Sequence, residues 1–558
     1  MEARMLCGRA AELGRLLRWA PAMSHLRCKT AFALCLALAP AGCNDDGGGA
    51  AGGTEGGTEG GTGASTGGSA GSTGTTGEDL PDPVPPLDDV VSTVERRWLP
   101  AHDVADEMTL DPRVPAERAQ LLEEGWGDEV EGPGEPILDV TPGGPLPPAG
   151  PNPRRLARFV HLADTQLADD ESPTRAALVD NFQISGGFRP QEAYMCQVLD
   201  ATVRTINAIH AQESLDFVVL GGDNIDSAQT NEALWFLDTV DGAPVVECDS
   251  GDDDDLVPGP GNDPKDPFAP VGLDVPLYWV NGNHDVLVQG NFPVANKMDE
   301  AVGSVASGGT RDYRMPGGPV VTGEVIPDER RALLDRVPLL ELVASLGDGH
   351  GITDETIAYG KAFYTFDVGT DVRFIVLDTA AETGGAEGVL HMSDIDAFVR
   401  PELERAATDG RYVVLASHHA ATSLSDGGSF GGTVQPDAIT QQDWEALLGE
   451  YDNVVLHLVG HSHVHRVRWV EPLGGSAYWE VMTSALADWP HQFRVVEIDD
   501  LDNGYLTVTA VAYDVALDGY PLAAEARPLG VLDMTAHWQA PGDGAPEDRN
   551  VRLAWPKP

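Results

Sequence analysis

The chain is predicted to be an α/β protein whose sheets contain much parallel pairing. Two patterns carry this. From Arg155 to about Asp514, short β-branched runs alternate with longer stretches of helical texture, as in strands joined by crossover helices. Five of the apolar runs also end directly at Asp, Asn or His, most with Gly alongside, as strands do when they deliver polar groups to the carboxyl edge of an open sheet. Apolar residues make up 42% of the 558, enough to build a core.

Taken in order, residues 1–43 read as an export signal. The positive segment Met23-Ser-His-Leu-Arg27-Cys-Lys29 precedes apolar residues 30–39 and then Pro40-Ala41-Gly42-Cys43. A Cys directly after small residues resembles a bacterial lipoprotein signal. Lipid attachment at Cys43, in the cell envelope, is therefore expected; ordinary cleavage giving a periplasmic or extracellular protein is the alternative. Residues 44–80 are Gly-, Ser- and Thr-rich, with nothing to bury, and are expected to form a flexible tether. Residues 81–153 are rich in Pro, Gly and acids, with one helical stretch near 116–124, and are expected to be an irregular extension.

The main domain is placed at 154–515. Helices are predicted at 191–211, 230–237, 328–346, 393–407 and 440–448. Strands without helices follow at 466–470, 477–483, 493–498 and 505–513, read as an antiparallel continuation. Insertions are expected near 241–274 and 291–327, and residues 516–558 are read as a C-terminal extension. The run Asp252-Asp-Asp-Asp255 lacks the spaced ligands and closing Glu of an EF-hand loop, so a solvated acidic loop is expected. No run of 18 apolar residues occurs, and no membrane-spanning helix is predicted.

Lys plus Arg is 35 and Asp plus Glu is 89, a formal net charge of −54. This argues against binding nucleic acid or an anionic lipid surface through a general positive field. No protein partner is predicted. Four of the six cysteines fall in the signal region, leaving Cys196 and Cys248. In an oxidising compartment these two either pair or stay free, and their spacing leaves both readings open.

The five strand tips carry the chemistry. Arg158-Phe-Val-His-Leu-Ala163 runs into Asp164-Thr165-Gln166, and Phe217-Val-Val-Leu220 into Gly221-Gly222-Asp223. Leu277-Tyr-Trp-Val280 runs into Asn281-Gly282-Asn283-His284-Asp285, and Tyr412-Val-Val-Leu-Ala416 into Ser417-His418-His419. Val454-Val-Leu-His-Leu-Val459 runs into Gly460-His461-Ser462-His463. If these strands are neighbours, the tips converge. Several buried Asp and His side chains are costly unless a positive charge compensates them. One cation would serve two or three carboxylates, and two would serve the whole set.

The order Asp164-x-Gln166, Gly222-Asp223, Gly282-Asn283-His284-Asp285, His418, Gly460-His461-x-His463 resembles the calcineurin-like metallophosphoesterases over roughly residues 155–515. The resemblance implies a four-layer αββα sandwich with two mixed sheets and two divalent metal ions (Mn, Fe or Zn). It places the first metal on Asp164, Asp223 and His463, with Asp223 bridging to a second held by Asn283, His418 and His461. His284 would be the catalytic histidine and Asp285 would orient it. The implied reaction is hydrolysis of a phosphate ester, monoester or diester, by hydroxide bridging the metals. A catalytically weak or inactive metal-binding surface lipoprotein of the same fold is the alternative.

One residue departs from the family pattern. Gln166 stands where the family usually has His. An amide oxygen is a weaker, harder donor than imidazole, so Gln166 as a ligand implies a looser first site that favours a hard cation such as Mn²⁺. His461-Ser-His463-Val-His465 is superficially similar to the His-x-His-x-Asp-His signature of metallo-β-lactamases, but the Asp-His pair is missing. Arg175 is weighed as a phosphate receiver against a salt-bridge role. His419 and His465 are weighed as pocket or hydrogen-bonding residues against plain structural ones.

Overall fold

Among the described residues, thirteen strands form two mixed sheets, and the period-2 alternation of the strands explains how the sheets meet. The structure, a computed structural model, describes residues 80–558 except 82, 108–109, 183–184 and 252–256. Cys43, the tether up to residue 79 and the acidic run 252–255 therefore lie outside the described residues. The first sheet contains β1 (Leu138–Val140), β2 (Arg154–Leu162), β3 (Val218–Leu220) and β4 (Leu277–Tyr278). The second contains β5 (Tyr364–Val368), β6 (Val372–Leu377), β7 (Tyr412–Ser417), β8 (Val454–Val459), β9 (Arg466–Val470) and β10 (Tyr478–Met482). The chain then returns to the first sheet with β11 (Gln492–Asp500), β12 (Tyr505–Asp514) and β13 (Val551–Pro556). The strand orders are β1-β13-β12-β11-β2-β3-β4 and β5-β6-β7-β8-β10-β9. Strands β2, β3 and β4 run parallel, as do β6, β7, β8 and β10.

Successive residues of β6 show the layering. Val372, Phe374 and Val376 belong to the core shared with the first sheet, whereas Ile375 and Leu377 belong to a separate core on the outer face. Phe374 meets Phe159 of β2 edge-on, at 5.3 Å between ring centres. Two helices, α1 (Met195–Gln212) and α2 (Thr230–Asp241), pack in the same core as the first sheet. Two others, α3 (Arg400–Thr408) and α4 (Gln441–Leu448), cover the outer face of the second sheet. The result is the αββα sandwich. α1 is buried along almost its whole length, because α5 (Pro521–Thr535) adds Ala523 and Ala526 to the core containing Val198 and Ile206. Among the described residues, no helix is long and apolar enough to cross a membrane.

The structure departs from the sequence reading in its margins. The late strands are not one antiparallel continuation: β9 and β10 complete the second sheet, with β10 parallel to β8, and β11 and β12 complete the first. Residues 516–558, read as an extension, supply β13, which pairs along β12 from Ala510↔Val551 to Tyr505↔Pro556. Residues 81–153, read as irregular, supply β1 beside β13 and a strand pair Arg96–Pro100 with Glu129–Pro133. Residues 81–153 carry little local apolar pattern, whereas 516–558 bury one face of α5 and the alternate residues Val551, Leu553 and Trp555 in the core. Within the predicted helix 328–346, only Arg336–Ser345 is α-helical, preceded by a single 3-10 turn at Glu329–Arg331. Cys196 and Cys248 form a disulfide that ties the 241–274 insertion to the second residue of α1.

Candidate metal centre

Five of the parallel strands stop one to five residues short of a polar side chain of the cluster, and these stops share one edge. β2 leads to Asp164, β3 to Asp223, β4 to Asn283, β7 to His418, and β8 to His461 and His463. Backbone bonds bring the two sheets together there. The Ala487 N–H donates to Asp164 O at 3.1 Å, and the His461 N–H donates to the Asp164 carboxylate at 3.0 Å. The turns are forced. Asp164, Gln166, Asp223, His461 and His463 all have left-handed backbone, with φ of 53°, 40°, 54°, 74° and 55°. Each such residue costs about 1–2 kcal/mol, a strain that concentrates where side-chain direction matters more than stability. Gly282 and Gly460 permit the close approach. A Cβ on Gly282 would lie 2.1 Å from Asp223 Oδ1, and one on Gly460 would lie 2.6 Å from Asp164 Oδ2.

The side chains converge as acid–imidazole pairs. His418 Nε2 lies 3.1 Å from Asp223 Oδ2 and 4.0 Å from Asp164 Oδ1. His463 Nε2 lies 3.4 Å from Asp164 Oδ1. The His461 ring centre is 5.1 Å from that of His418. Ligand atoms of Asp164, Asp223 and His418 all lie within 4.8 Å of one another. The second nitrogen of each paired imidazole is anchored: His418 Nδ1 to Gly221 O at 2.7 Å, His463 Nδ1 to Asp488 Oδ2 at 2.5 Å. An Nδ1–H bound to an acceptor leaves the Nε2 lone pair free for a cation. Asn283 Nδ2 donates to Gly290 O at 3.0 Å, and its Oδ1 is buried with no hydrogen-bond partner among the described residues. A buried amide oxygen without a donor is unfavourable unless a cation meets it. The set of carboxylate, imidazole and amide donors suits first-row divalent ions. The residues present therefore fit the metals that the resemblance implies.

The electrostatics point the same way. Burial alone would push His418 down, but the Asp223 carboxylate outweighs it and raises the imidazole to about 9. His463 is raised to about 10 against burial, by Asp164 and Asp488. Asp223, although buried, is held well below the usual carboxylate range by His418 and His284. These groups stabilise charge of opposite sign, and a metal taking the place of the protons would release them.

Two placements, those of Asp285 and Gln166, differ from expectation. Asp285 does not touch the His284 ring. Its carboxylate accepts the backbone N–H groups of Gly282 (2.6 Å), Asp223 (2.9 Å), Asn224 (2.9 Å) and Ile225 (3.1 Å), and so knits two motif loops together. The His284 ring is held instead by Asp226, whose carbonyl accepts from Nδ1 at 2.7 Å and whose Oδ1 lies 3.4 Å away. Gln166 turns its oxygen away from the cluster: Oε1 accepts from Arg189, while Nε2 faces Asp223 Oδ2 at 3.4 Å. An arginine can only donate, which fixes that amide orientation. As placed, Gln166 does not offer its oxygen to a cation. Arg175 is fully buried between Asp226 and Glu192 and has no path to a substrate phosphate. His419 has both ring nitrogens engaged, by Thr379 Oγ1 and Ala386 O, and His465 bonds Gln492 and Ser484.

Asp226, Asp488 and Arg189 were missed in the sequence. Asp226 had a local signal, a second Asp three residues after Asp223. Asp488 and Arg189 had none, since each meets the cluster only through the tertiary fold.

Solved structures similar to the chain include a dimetal phosphatase from Danio rerio, with 12% identity and a TM-score of 0.36 over 65% of this chain and 100% of that one. Purple acid phosphatase PPD1 from yellow lupin (Lupinus luteus) gives 14% identity and a TM-score of 0.30 over 69% and 54% of the two chains. No curated protein matches the chain. Residues 157–465 match the calcineurin-like phosphoesterase family, a span that starts within β2 and closes just after His463. That span is more than half of the chain and contains every strand tip of the cluster, so the chain belongs to the calcineurin-like phosphoesterase family.

Proposed function

We propose that the chain hydrolyses phosphate esters at two divalent cations held side by side in this cluster. One observation carries the reading: Asp164, Asp223, Asn283, His418, His461 and His463 gather at one edge beside His284, with the Asn283 oxygen buried and unpartnered. Asp164, Asp223 and His463 would hold one ion. Asp223, Asn283, His418 and His461 would hold the other, with Mn, Fe or Zn suited to the donor mix. The ions would supply positive charge to phosphoryl oxygens and bring the pKa of a water toward neutrality.

The rest is the work of the side chains. His284 Nδ1–H donates to the Asp226 carbonyl, which fixes the tautomer and leaves Nε2 to share a proton with the departing oxygen of the ester. Burial and the two acids act on this ring in opposite directions, and Asp223 and Asp226 prevail, favouring the protonated, donating form. Asp285, through four backbone bonds, keeps the Asp223 and Asn283 loops in fixed relation.

Export with lipid attachment at Cys43 is part of the same reading. The Cys196–Cys248 disulfide supports the export part of it, because such bonds persist in oxidising compartments. The test uses metal-free full chain, p-nitrophenyl phosphate and its bis-ester, with and without added Mn²⁺. Mn²⁺-dependent hydrolysis of either ester is expected, and the ratio of the two rates separates monoesterase from diesterase. Metal uptake with both esters left intact refutes the hydrolase reading, and failure to take up metal refutes the centre itself.

A further inference from the structure

Arg189 is a buried cation outside every motif, yet it reaches the supports of three of them. Its Nε donates to Asp488 Oδ1 at 2.7 Å, and one Nη donates to Gln166 Oε1. Asp488 holds His463 Nδ1 with its other oxygen, which also accepts from Gln539 Nε2 at 2.6 Å. The remaining Nη lies 3.8 Å from Asp226 Oδ1, beside His284. The backbone around Arg189 is pinned as well. Its N–H donates to Glu192 at 3.1 Å, and Arg311 donates to the carbonyls of Arg189 and Pro190.

We propose that Arg189 is the positioning residue of the first metal position, with Gln166 as its hydrogen-bonded link rather than a ligand. The inference rests on the metal centre proposed above. A planar guanidinium presents donors in a fixed fork, so Nε and Nη can hold a carboxylate and an amide at once. The carboxylate it holds sets the His463 ring, whose Nε2 faces Asp164. The amide it holds presents N–H to the carboxylate of Asp223. Where a family member with His at this position would add a metal ligand, this chain has a rigid strut between Asp223 and Asp488. The position then draws its donors from Asp164, Asp223 and His463, and their geometry depends on the strut. A lysine would keep the charge but offers a point donor that cannot reproduce the fork.

The test is Arg189→Lys in the full chain, stripped of metal and titrated with Mn²⁺ by calorimetry, with bound metal counted. Loss of such a support typically lowers metal affinity about 10- to 100-fold. That fall is expected at one of two binding steps, with the other unchanged. Two unchanged affinities overturn the proposal, and so does an equal fall at both, which would mark general loosening. If Arg189→Lys does not fold, Asp488→Asn keeps the shape of the anchor while removing its charge, and the same titration is read the same way. A wild-type chain that binds no Mn²⁺ overturns the metal centre itself, whereas two-step binding unchanged by the substitution removes only the role of Arg189.

Discussion

Gly290 sits in the turn of a short hairpin, Leu287–Val288 against Phe292–Pro293, with φ of +61°. A Cβ there would fall 2.3 Å from His284 Cδ2, 2.4 Å from His284 Nε2 and 2.4 Å from Asn283 Nδ2. Ordinary contact begins near 3.4 Å, so in Gly290→Ala the ring must retreat by about 1 Å. A displacement of that size costs about 100-fold in rate, or about 2.7 kcal/mol of barrier. The left-handed backbone adds about 1–2 kcal/mol of lost stability, which a melting curve reads separately. The assay is kcat and KM on p-nitrophenyl phosphate with saturating Mn²⁺, alongside metal content. A fall in kcat near 100-fold is expected; because Asn283, a proposed metal ligand, is crowded by the same Cβ, the loss is assigned to the His284 ring only where metal content stays at the wild-type level. Wild-type kcat in Gly290→Ala would refute the placement of His284 at the reacting bond.

His284→Ala is expected to keep its metal and lose about 10²- to 10⁴-fold in kcat, the range for a general acid; metal content with steady-state kinetics checks this, and full activity would remove His284 from the reaction. Asp200 on α1 is raised to about 6, chiefly by burial, against the pull of the Val271 N–H. A group with a raised folded pKa contributes stability below its unfolded value and loses it as pH rises through about 6, so Asp200→Asn should be more stable than wild type at pH 8, by at most about 3 kcal/mol, and equal to it near pH 4. Urea unfolding at both pH values decides it, and a less stable variant at pH 8 would contradict the sign. Replacing Cys196 and Cys248 together by Ser opens a link across 52 residues, and about 2–4 kcal/mol of stability should be lost; an unchanged denaturation midpoint would rule that contribution out.

The sequence alone determined the strand tips. A short apolar run ending in Asp or His is a local pattern, and a parallel sheet places the carboxyl ends of all such strands at one edge. Asp164, Asp223, Asn283, His418, His461 and His463 were therefore legible before any fold was known, as were the cores of α1 and α2. Tertiary structure alone decided what stands behind them. Arg189 and Asp488 lie 299 positions apart and meet only because both sheets close over them. Gln166 reads as a ligand by position and becomes a strut because a guanidinium, which can only donate, claims its oxygen. The pairing of the strands at 138–140 and 551–556 was also decided by the tertiary structure. Residues 138–140 are too short a run to carry a strand signal, and Val551-Arg-Leu-Ala-Trp555 alternates but names no partner, because the edge of β12 that it covers exists only after the rest of the sheet has formed. Ligand identity is written in runs of a few residues; the orientation of each ligand depends on partners hundreds of residues away, whose contacts arise from packing and leave no local trace.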